Sequence, residues 1–520
     1  MIVRASPAAP ADPPKLAVIL VVDQMRADYV DRFQEGWTGG LKRMVSQGAW
    51  FSEAAYPYLT TVTCAGHATI ATGSFPHTHG IFQNNWWDRE LKKQVICNED
   101  PRVKDIAYGT EVRSGDSAYR LEVATLADVM RSQRKSHVVS LALKDRSAIM
   151  LAGHGGEAVT WLSNNVDGWI TSPVYTEEPV PAVKAFVDAN PISADLGKVW
   201  TKMLPEEAYA GSDDAAGEAP PTGWTRAFPH ELAGSNGVAD NSFLSQWQRS
   251  PFADAYVGRF AAALVKALKL GTHETTDILA VSFSTPDMVG HAFGPRSHEV
   301  ADIFAHLDRT IGTLFDELDA QVGKGQWVAG LSADHGVTPI PEQLVAEGKD
   351  GGRISGGAII DAVNLALTPT LGTGRHVTAL STNDLYFEPG VYDKIRRRPA
   401  AISAAIAAIA ARPGVQRVFR SEDLRDVASA KDPLQRAAAL SYYPGRSGDL
   451  VIANKPGWMI SAAGTTHGSA NPDDQRVPLL FLGAGVKPGK YMRPATPADL
   501  APTLAAIVGV SLKAEGHSLF

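Results

Sequence analysis

Residues 15–23 read KLAVILVVD, an unbroken apolar run that ends in an aspartate. A run of this length, rich in β-branched residues, is typical of a strand that is buried on both faces of a parallel sheet. Asp23 follows at the carboxyl end of that strand, where open α/β sheets bind their ligands. The stretch therefore predicts an α/β fold with a ligand site at this edge of the sheet.

Further apolar runs predict the other core strands, at residues 137–143, 276–283, 327–331 and 478–482. Helices are predicted at residues 25–33, 41–47, 118–132, 303–318 and 498–508, of which 303–318 has a strong apolar face. This pattern predicts a three-layer α/β/α sandwich around a mostly parallel mixed sheet, with inserted cap subdomains. Because polar residues follow four of the strands directly, we expect a single active-site edge.

Two long blocks interrupt the core pattern. Residues 167–253 are rich in Pro, Gly, Trp and Asp and have weak periodicity, which predicts an insertion. Residues 342–458 contain an Ala-rich helix at 400–411 and a strand at 415–419, which predicts an inserted α+β cap subdomain. The core is then expected in three parts, at 15–166, 254–341 and 459–520.

Composition excludes several classes of protein. The net charge of −7 is mild for 520 residues, so no broad basic surface for nucleic acid is expected. The apolar run at 16–22 is too short to span a bilayer. The opening MIVRASPAAP lacks the apolar core of a signal peptide, and we interpret it as the start of a mature exported chain whose leader has been removed. A monomer is favoured over an oligomer.

Cys64 and Cys97 are the two cysteines of the chain. This number rules out a disulfide-rich scaffold. One bridge between them and two separate buried thiols are equally compatible with the sequence.

Residues 60–73, TTVTCAGHATIATG, predict a loop that leads into the first turn of a helix. A threonine at such a start can cap the free backbone N–H groups. The same N–H groups and the helix dipole also favour an anion such as phosphate. Taken alone, Thr63 is more simply interpreted as a cap, so the rest of the sequence has to decide.

The later motifs supply a set of metal-ligand residue types. Asp287 and His291 are four positions apart, and Asp334 and His335 are adjacent before a glycine that permits a sharp bend. His467 also precedes a glycine in a predicted loop. With Asp23, these residues make a mixture of carboxylate and imidazole that suits zinc. Six ligands are too many for one tetrahedral ion and suit two ions, an arrangement used for phosphoryl displacement.

With these motifs the chain resembles the alkaline phosphatase superfamily, in the branch whose nucleophile is threonine and which is related to nucleotide pyrophosphatase/phosphodiesterases. The segment Thr63-Cys64-Ala65-Gly66-His67 matches the nucleophile motif, although some members have Pro where Ala65 stands. Asn84 matches the asparagine-containing loop, and Lys144-Asp145-Arg146 matches the Lys-x-Arg motif of the monoesterases. The metal motifs follow in the expected order.

The resemblance implies a di-zinc alkaline phosphatase that forms a phosphothreonine intermediate at Thr63. One Zn²⁺ would be bound by Asp287, His291 and His467, and the other by Asp23, Asp334 and His335 together with the Thr63 oxygen. Asn84, Lys144 and Arg146 would bind the phosphate. The expected partners are small phosphate monoesters and inorganic phosphate, and the expected location is the periplasm or the extracellular space.

Charge favours monoesters over diesters. Two zinc ions and three carboxylates sum to about +1, and Lys144 and Arg146 raise the site to about +3, which suits a doubly charged monoester. The main alternative is a phosphodiesterase or nucleotide pyrophosphatase on the same metal scaffold. A sulfatase is disfavoured because Cys64 is not in a Cys-x-Pro-x-Arg motif, and a phosphoglycerate mutase because its nucleophile is usually serine. A non-catalytic secreted metal-binding protein is the alternative of a different class.

Overall fold

The computed structural model describes residues 12–109 and 114–520. Its centre is a ten-stranded sheet. Across the sheet the strands are, in order, Gly489–Ala495, Ala49–Ala54, Leu479–Gly483, Trp327–Ser332, Leu16–Val22, Asp277–Phe283, Val138–Ala142, Ala158–Leu162, Trp169–Thr171 and Ile106–Ala107.

The middle of this sheet is parallel. Leu16–Val22 pairs in parallel with Asp277–Phe283 on one side and with Trp327–Ser332 on the other, and all seven of its residues are buried. Antiparallel pairing enters on both flanks, where Leu479–Gly483 and Trp169–Thr171 join the sheet. The prediction of a mostly parallel mixed sheet is therefore confirmed.

Helices cover both faces of the sheet. Side chains at even positions of the first strand, such as Leu20, pack in one hydrophobic cluster with the apolar face of helix His298–Leu318. Those at odd positions, such as Ile19, pack in a second cluster with helices Thr63–Thr72 and Leu500–Val508. The alternation of a fully buried strand thus builds the predicted three-layer sandwich.

The α-helices are Asp28–Phe33, Gly40–Gln47, Thr63–Thr72, Pro76–His79, Leu126–Arg134, Asp145–Ala152, Pro181–Ala189, Asn241–Gln248, Pro251–Ala267, Thr285–Phe293, His298–Leu318, Pro341–Ala346, Gly356–Leu371, Val391–Ile395, Pro399–Ala410, Pro433–Ser441, Pro472–Gln475 and Leu500–Val508. Across residues 12–109 and 114–520, none of them has both the length and the apolar character that a membrane crossing requires.

A second, four-stranded antiparallel sheet lies within residues 342–458. Its strands are, in order, Val377–Ser381, Asp384–Phe387, Leu450–Asn454 and Val415–Arg420. Helices Gly356–Leu371 and Pro399–Ala410 pack on it around a separate hydrophobic cluster. This segment therefore contains both strands and helices, and it has a hydrophobic cluster of its own.

One predicted helix is shorter than expected. Residues 118–125 of the predicted helix 118–132 form turns and loop, and the helix runs from Leu126 to Arg134. Thr125 and Asp128 form a capping box, in which each side chain bonds the backbone N–H of the other. This box fixes the first turn at Leu126 and prevents the helix from extending toward residue 118.

Candidate active site

Three loops meet at the carboxyl ends of the central parallel strands. In the sheet register, Val22 lies opposite Phe283, and Val21 lies opposite Ser332. The residues that follow these strands are therefore neighbours in space. Asp23, Asp287 and Asp334 are all buried there.

Thr63 is the first residue of helix Thr63–Thr72, and Val62 occupies the capping position without a side-chain cap. The interpretation of Thr63 as a helix cap does not apply in this structure. Its hydroxyl oxygen instead lies 3.5 Å from His335 Nε2. The side chain is 2% exposed, so the hydroxyl is held inside the site and faces an imidazole.

Three histidines have the same arrangement of their ring nitrogens. The Nδ1 atoms of His291, His335 and His467 lie 2.8, 2.9 and 2.8 Å from the carbonyl oxygens of Thr465, Gly336 and Thr61. A ring that donates from Nδ1 to a carbonyl keeps its lone pair on Nε2, which is the usual arrangement of a metal-binding histidine.

The Nε2 atoms converge on the carboxylates. His291 Nε2 and His467 Nε2 lie 3.1 and 3.6 Å from Asp287 Oδ1. The rings of His335 and His467 are stacked, with centroids 3.4 Å apart. Burial and the neighbouring His335 and His291 hold the pKa of His467 well below its usual range, which keeps this imidazole neutral and able to bind a metal.

Two buried carboxylate oxygens have no hydrogen bond. Asp23 Oδ1 and Asp334 Oδ2 accept none from the residues that the structure describes, although His335 Nε2 lies 3.6 and 3.3 Å from them. Buried charged oxygens are costly unless they are paired or bind a metal. Together with the three oriented imidazoles, these atoms form a donor set that fits a divalent metal ion.

Two groups of potential ligand atoms come together within 4.8 Å, one of Asp23, Asp334 and His335, the other of Asp287, His335 and His467. The first is one of the two ligand sets that the resemblance implies. In the second, His335 stands where His291 was expected. His291 nevertheless lies beside the same carboxylate, and the stacking of His335 on His467 explains why one imidazole belongs to both groups.

Lys144 bridges two of the carboxylates. Its Nζ lies 2.5 Å from both Asp23 Oδ2 and Asp287 Oδ2, and it is buried. Burial alone would lower the pKa of Lys144, but Asp23 and Asp287 outweigh it and raise the pKa above the usual value. The pKa of Asp23 is also raised, by burial and by Asp287 and Asp334, against the opposite effect of Lys144.

The other two residues expected at the phosphate site have different neighbours. Asn84 Oδ1 accepts a 2.8 Å hydrogen bond from the Cys64 N–H. Arg146 Nη1 lies 3.4 Å from Asp145 Oδ1. Asn84 also borders a cavity of about 310 Å³ with His291 and His467.

The outer wall of this cavity is formed by the four-stranded antiparallel sheet and by the segment that follows its strand Leu450–Asn454. Thr382, Asn383, Asn454 and Trp458 border the cavity there. The backbone of Thr382 is in the left-handed region, with φ 47°. Asn383 Nδ2 donates to the Gly468 carbonyl at 2.6 Å, next to His467. Residues 342–458 thus contribute directly to the surroundings of the site.

Cys64, next to Thr63, forms a disulfide with Cys97. This settles the choice that the sequence left open between a bridge and two thiols. The bridge connects the first turn of the Thr63 helix to the end of the hairpin formed by Asn85–Asp88 and Lys93–Ile96. Asn84 lies at the start of that hairpin, so the disulfide and the Asn84 hydrogen bond hold the same two segments together.

Two positioning residues were not found from the sequence. Gln24 donates from Nε2 to Asp287 Oδ1 at 2.6 Å and from its backbone N–H to Asp334 Oδ1 at 3.1 Å. His67 Nδ1 lies 2.9 Å from the Thr63 carbonyl and 3.3 Å from Asp334 Oδ2. The available signals were that Gln24 directly follows Asp23 and that His67 is one helical turn after Thr63.

The Thr63 helix approaches the Asp334 loop very closely at Gly66. A Cβ atom added there would lie 2.1 Å from the Asp334 carbonyl oxygen and 2.6 Å from its Cβ. The carbonyl oxygen of Asp334 belongs to the backbone and its Cβ is attached directly to the backbone, so neither atom can rotate away. Only glycine allows this contact, which sets the distance between Thr63 and the carboxylate.

Residues 17–473 match the family described as type I phosphodiesterase / nucleotide pyrophosphatase. Alkaline phosphatase PafA of Elizabethkingia meningoseptica is 31% identical over 515 residues, which cover 96% of this chain and 92% of the relative. Alkaline phosphatase PhoV of Synechococcus elongatus is 32% identical over 511 residues, which cover 96% of this chain and 90% of the relative.

Solved structures agree with this similarity. The crystal structure of wild-type PafA matches with a TM-score of 0.88 at 31% identity and covers 99% of both chains. Another PafA structure carries substitutions of a threonine, an asparagine, a lysine and an arginine, and it matches with a TM-score of 0.90. Murine ectonucleotide pyrophosphatase / phosphodiesterase 5 shares the fold, with a TM-score of 0.55 at 14% identity.

Proposed function

The chain belongs to the type I phosphodiesterase / nucleotide pyrophosphatase family, and we propose that Thr63 is the nucleophile with which it hydrolyses phosphate monoesters. The chain is an alkaline phosphatase, as its full-length similarity to PafA and PhoV indicates. The observation that carries the assignment of Thr63 is its buried hydroxyl at a helix start, 3.5 Å from His335 Nε2 and beside the carboxylate and imidazole cluster.

The donor set supports two Zn²⁺ ions. Asp287, His291 and His467 would hold one, and Asp23, Asp334 and His335 the other. The unpaired oxygens of Asp23 and Asp334 and the backbone-bonded Nδ1 atoms of the histidines support this assignment. When bound, zinc supplies Lewis acidity that lowers the pKa of a hydroxyl group and stabilises negative charge on phosphoryl oxygens.

The reaction proceeds in two displacements at phosphorus. Thr63 Oγ1 gives up its proton to solvent and forms a bond to phosphorus, while the bond from phosphorus to the substrate's ester oxygen breaks and that oxygen takes up a proton from solvent and leaves as the alcohol. Water then attacks phosphorus, the bond to Thr63 breaks, and inorganic phosphate and the free hydroxyl result. An ion held by Asp287, His291 and His467 would stabilise the negative charge on the leaving oxygen, so that a separate general acid at the leaving group would not be needed.

Neighbouring groups of the chain would bind the phosphoryl oxygens. The helix that starts at Thr63 directs its dipole toward the phosphate. Asn84 lies against the first turn through its bond to the Cys64 N–H, so its amide Nδ2 is available near the nucleophile. Lys144 and Arg146 contribute positive charge, and Arg can bond two oxygens of a monoester at once.

The Cys64–Cys97 disulfide supports export to the periplasm or beyond, since structural disulfides persist in oxidising compartments. Small phosphate monoesters are the substrates, with inorganic phosphate as the product. That the protein is a monomer remains a prediction.

The nucleophile is tested with Thr63→Ala and Thr63→Ser. Thr63→Ala is expected to retain zinc while losing at least about 10³-fold in kcat/KM toward an aryl monophosphate. Thr63→Ser keeps a hydroxyl and should retain measurable turnover. Acid quenching followed by peptide mass spectrometry should find phosphate on Thr63 of the wild type. Full zinc-dependent activity of Thr63→Ala would refute the assignment.

A phosphodiesterase activity is the second candidate, because the family description names phosphodiesterases and pyrophosphatases. The decisive measurement compares kcat/KM for an aryl monophosphate with that for a bis-aryl phosphate. The proposed function requires the monophosphate to be preferred in the wild type and the preference to shrink in Lys144→Ala. A large diester preference that Lys144→Ala leaves unchanged would favour the second candidate.

A further inference from the structure

A second cluster of metal-ligand residue types lies at the opposite edge of the central sheet. His137, Glu157 and Asp277 stand at the amino ends of three neighbouring parallel strands, Val138–Ala142, Ala158–Leu162 and Asp277–Phe283. His273 lies in the loop before Asp277. The candidate active-site residues follow the carboxyl ends of the central parallel strands. The two clusters are therefore separated by the length of these strands.

The two imidazoles are stacked on each other, and each has its own carboxylate. The rings of His137 and His273 have centroids 3.7 Å apart and an interplanar angle of 21°. His273 Nδ1 lies 2.7 Å from Asp277 Oδ2, and His137 Nδ1 contacts Glu157 Oε1. The backbone fixes Asp277 in turn, because the N–H groups of His137 and Gly271 donate to its two oxygens.

This arrangement has the chemistry of a transition-metal site. One ligand atom from each of His137, His273 and Asp277 comes within 4.8 Å of the others. The Nδ1 atoms of His273 and His137 face Asp277 Oδ2 and Glu157 Oε1, so nitrogen and oxygen ligands would face the same ion, as Nε2 of His291 and Oδ1 of Asp287 do at the other end of the strands. The two carboxylates, Asp277 and Glu157, carry about −2 in total, which favours a dication.

One further feature separates this cluster from ordinary histidine–carboxylate pairs. His77 with Glu515, and His154 with Asp128, are such pairs, and each has a single imidazole. Here two imidazoles face each other, which would repel if both were protonated. Their side chains are 33% and 29% exposed, so an ion can reach them from solvent.

We propose that His137, His273 and Asp277, assisted by Glu157, bind one divalent transition-metal ion of the zinc type. Imidazole ligands favour zinc or copper over calcium and magnesium. The ion would join the amino ends of three strands and stabilise the fold, without taking part in turnover. The site is independent of the function proposed for the other edge of the sheet.

The test counts zinc in chelated protein reloaded with Zn²⁺ and freed of excess by gel filtration. His273→Ala and His137→Gln should each bind one equivalent less than the wild type. His77→Ala, which removes a partly exposed histidine with one carboxylate partner, should bind the same amount as the wild type. Phosphatase activity should stay within about twofold in all three variants.

Two further measurements make the result specific. Added Zn²⁺ should raise the unfolding temperature of the wild type more than that of His273→Ala. A His291→Ala/His467→Ala variant should still lose one equivalent of zinc when His273→Ala is added, which separates this site from the catalytic one. Unchanged zinc content in both His273→Ala and His137→Gln, with metal-free unfolding temperatures like that of the wild type, would overturn the proposal. An equal loss in His77→Ala would overturn it as well.

Discussion

The side-chain amide of Gln24 donates a 2.6 Å hydrogen bond to Asp287 Oδ1, which lies 263 positions away in the chain. The backbone N–H of the same residue donates to Asp334 at 3.1 Å. Gln24 has a left-handed backbone with φ 66°, a conformation that costs a non-glycine residue on the order of 1–3 kcal/mol. The two hydrogen bonds explain why the strain persists: one residue orients a carboxylate of each proposed zinc ion.

Removing this contact should loosen metal binding before it affects the fold. We expect Gln24→Ala to lower kcat/KM by about 10- to 100-fold and to lose zinc faster to a chelator, the usual effect of removing a residue that orients a metal ligand. Gln133→Ala is a matched control, since Gln133 bonds backbone groups at the surface. If Gln24→Ala keeps the zinc retention of the wild type, Gln24 does not act as a positioning residue.

Lys144 should matter more for monoesters than for diesters. Lys144→Ala removes the cation that lies 2.5 Å from Asp23 and Asp287, and with it charge that a doubly negative substrate uses. We expect a loss of about 10²- to 10³-fold in kcat/KM for an aryl monophosphate and a smaller loss for a bis-aryl phosphate. Lys184→Ala, an exposed helix position, is the control. Equal losses on both esters would show that Lys144 does not discriminate between them.

Asp254 should make stability fall as pH rises. Its carboxylate is buried, it accepts weak hydrogen bonds from the Ser284 and Thr285 N–H groups, and burial raises its pKa to about 7. Between about pH 4 and pH 7 the folded chain therefore keeps a proton that the unfolded chain has lost. Below about pH 4, Asp254 is protonated in both states and does not reduce the free energy of unfolding. The free energy of unfolding then falls as pH rises toward about 7, where the folded chain also loses this proton. The loss is roughly 4 kcal/mol.

The comparison with Asp254→Asn isolates this effect, because asparagine does not titrate. Denaturant unfolding at several pH values should show the wild type losing stability relative to Asp254→Asn as pH rises from 4 to 8. Asp188→Asn, at an exposed helix position, provides the control. Parallel stability curves for wild type and Asp254→Asn would contradict the prediction.

Breaking the disulfide should destabilise the protein and loosen the start of helix Thr63–Thr72. Cys64 and Cys97 close a loop of 33 residues, so Cys64→Ala/Cys97→Ala should lose about 2–4 kcal/mol of unfolding free energy. A reductant should lower the unfolding temperature of the wild type and leave that of the double variant unchanged. Insensitivity of the wild type to the reductant, with quantitative thiol release, would show that the bridge contributes nothing.

Five strands of the central sheet could be read from the sequence because they form apolar runs that are buried on both faces. Ala158–Leu162 is also fully buried but is not predicted, because the polar Thr160 interrupts its short apolar run. The run at 276–283 predicts a strand that the structure has at Asp277–Phe283. No strand is predicted at Gly489–Ala495, because it is an edge strand whose residues are largely exposed and do not form an apolar run. Ala49–Ala54 was missed as well, because it is short and does not form a continuous apolar run.

The residues of the candidate site also fall into those that the sequence predicts and those that it does not. Ligand types next to glycines or at the ends of apolar runs, such as Asp334-His335-Gly336, are visible in the sequence. The contacts of Gln24 and Lys144 are not, because their partners lie far away in the chain and only the sheet register brings them together. The disulfide was undecided for the same reason, since two cysteines alone do not fix a distance.

The contact at Gly66 limits how this chain can change its preferences. Because the helix of Thr63 and the backbone of Asp334 touch without room for a methyl group, the reacting atoms form a rigid unit that cannot be adjusted gradually. Variation is more easily accommodated at the outer wall of the cavity, where Thr382 and Trp458 belong to a segment with its own core. A laboratory selection for new leaving groups should therefore accumulate substitutions in residues 342–458 and leave position 66 untouched.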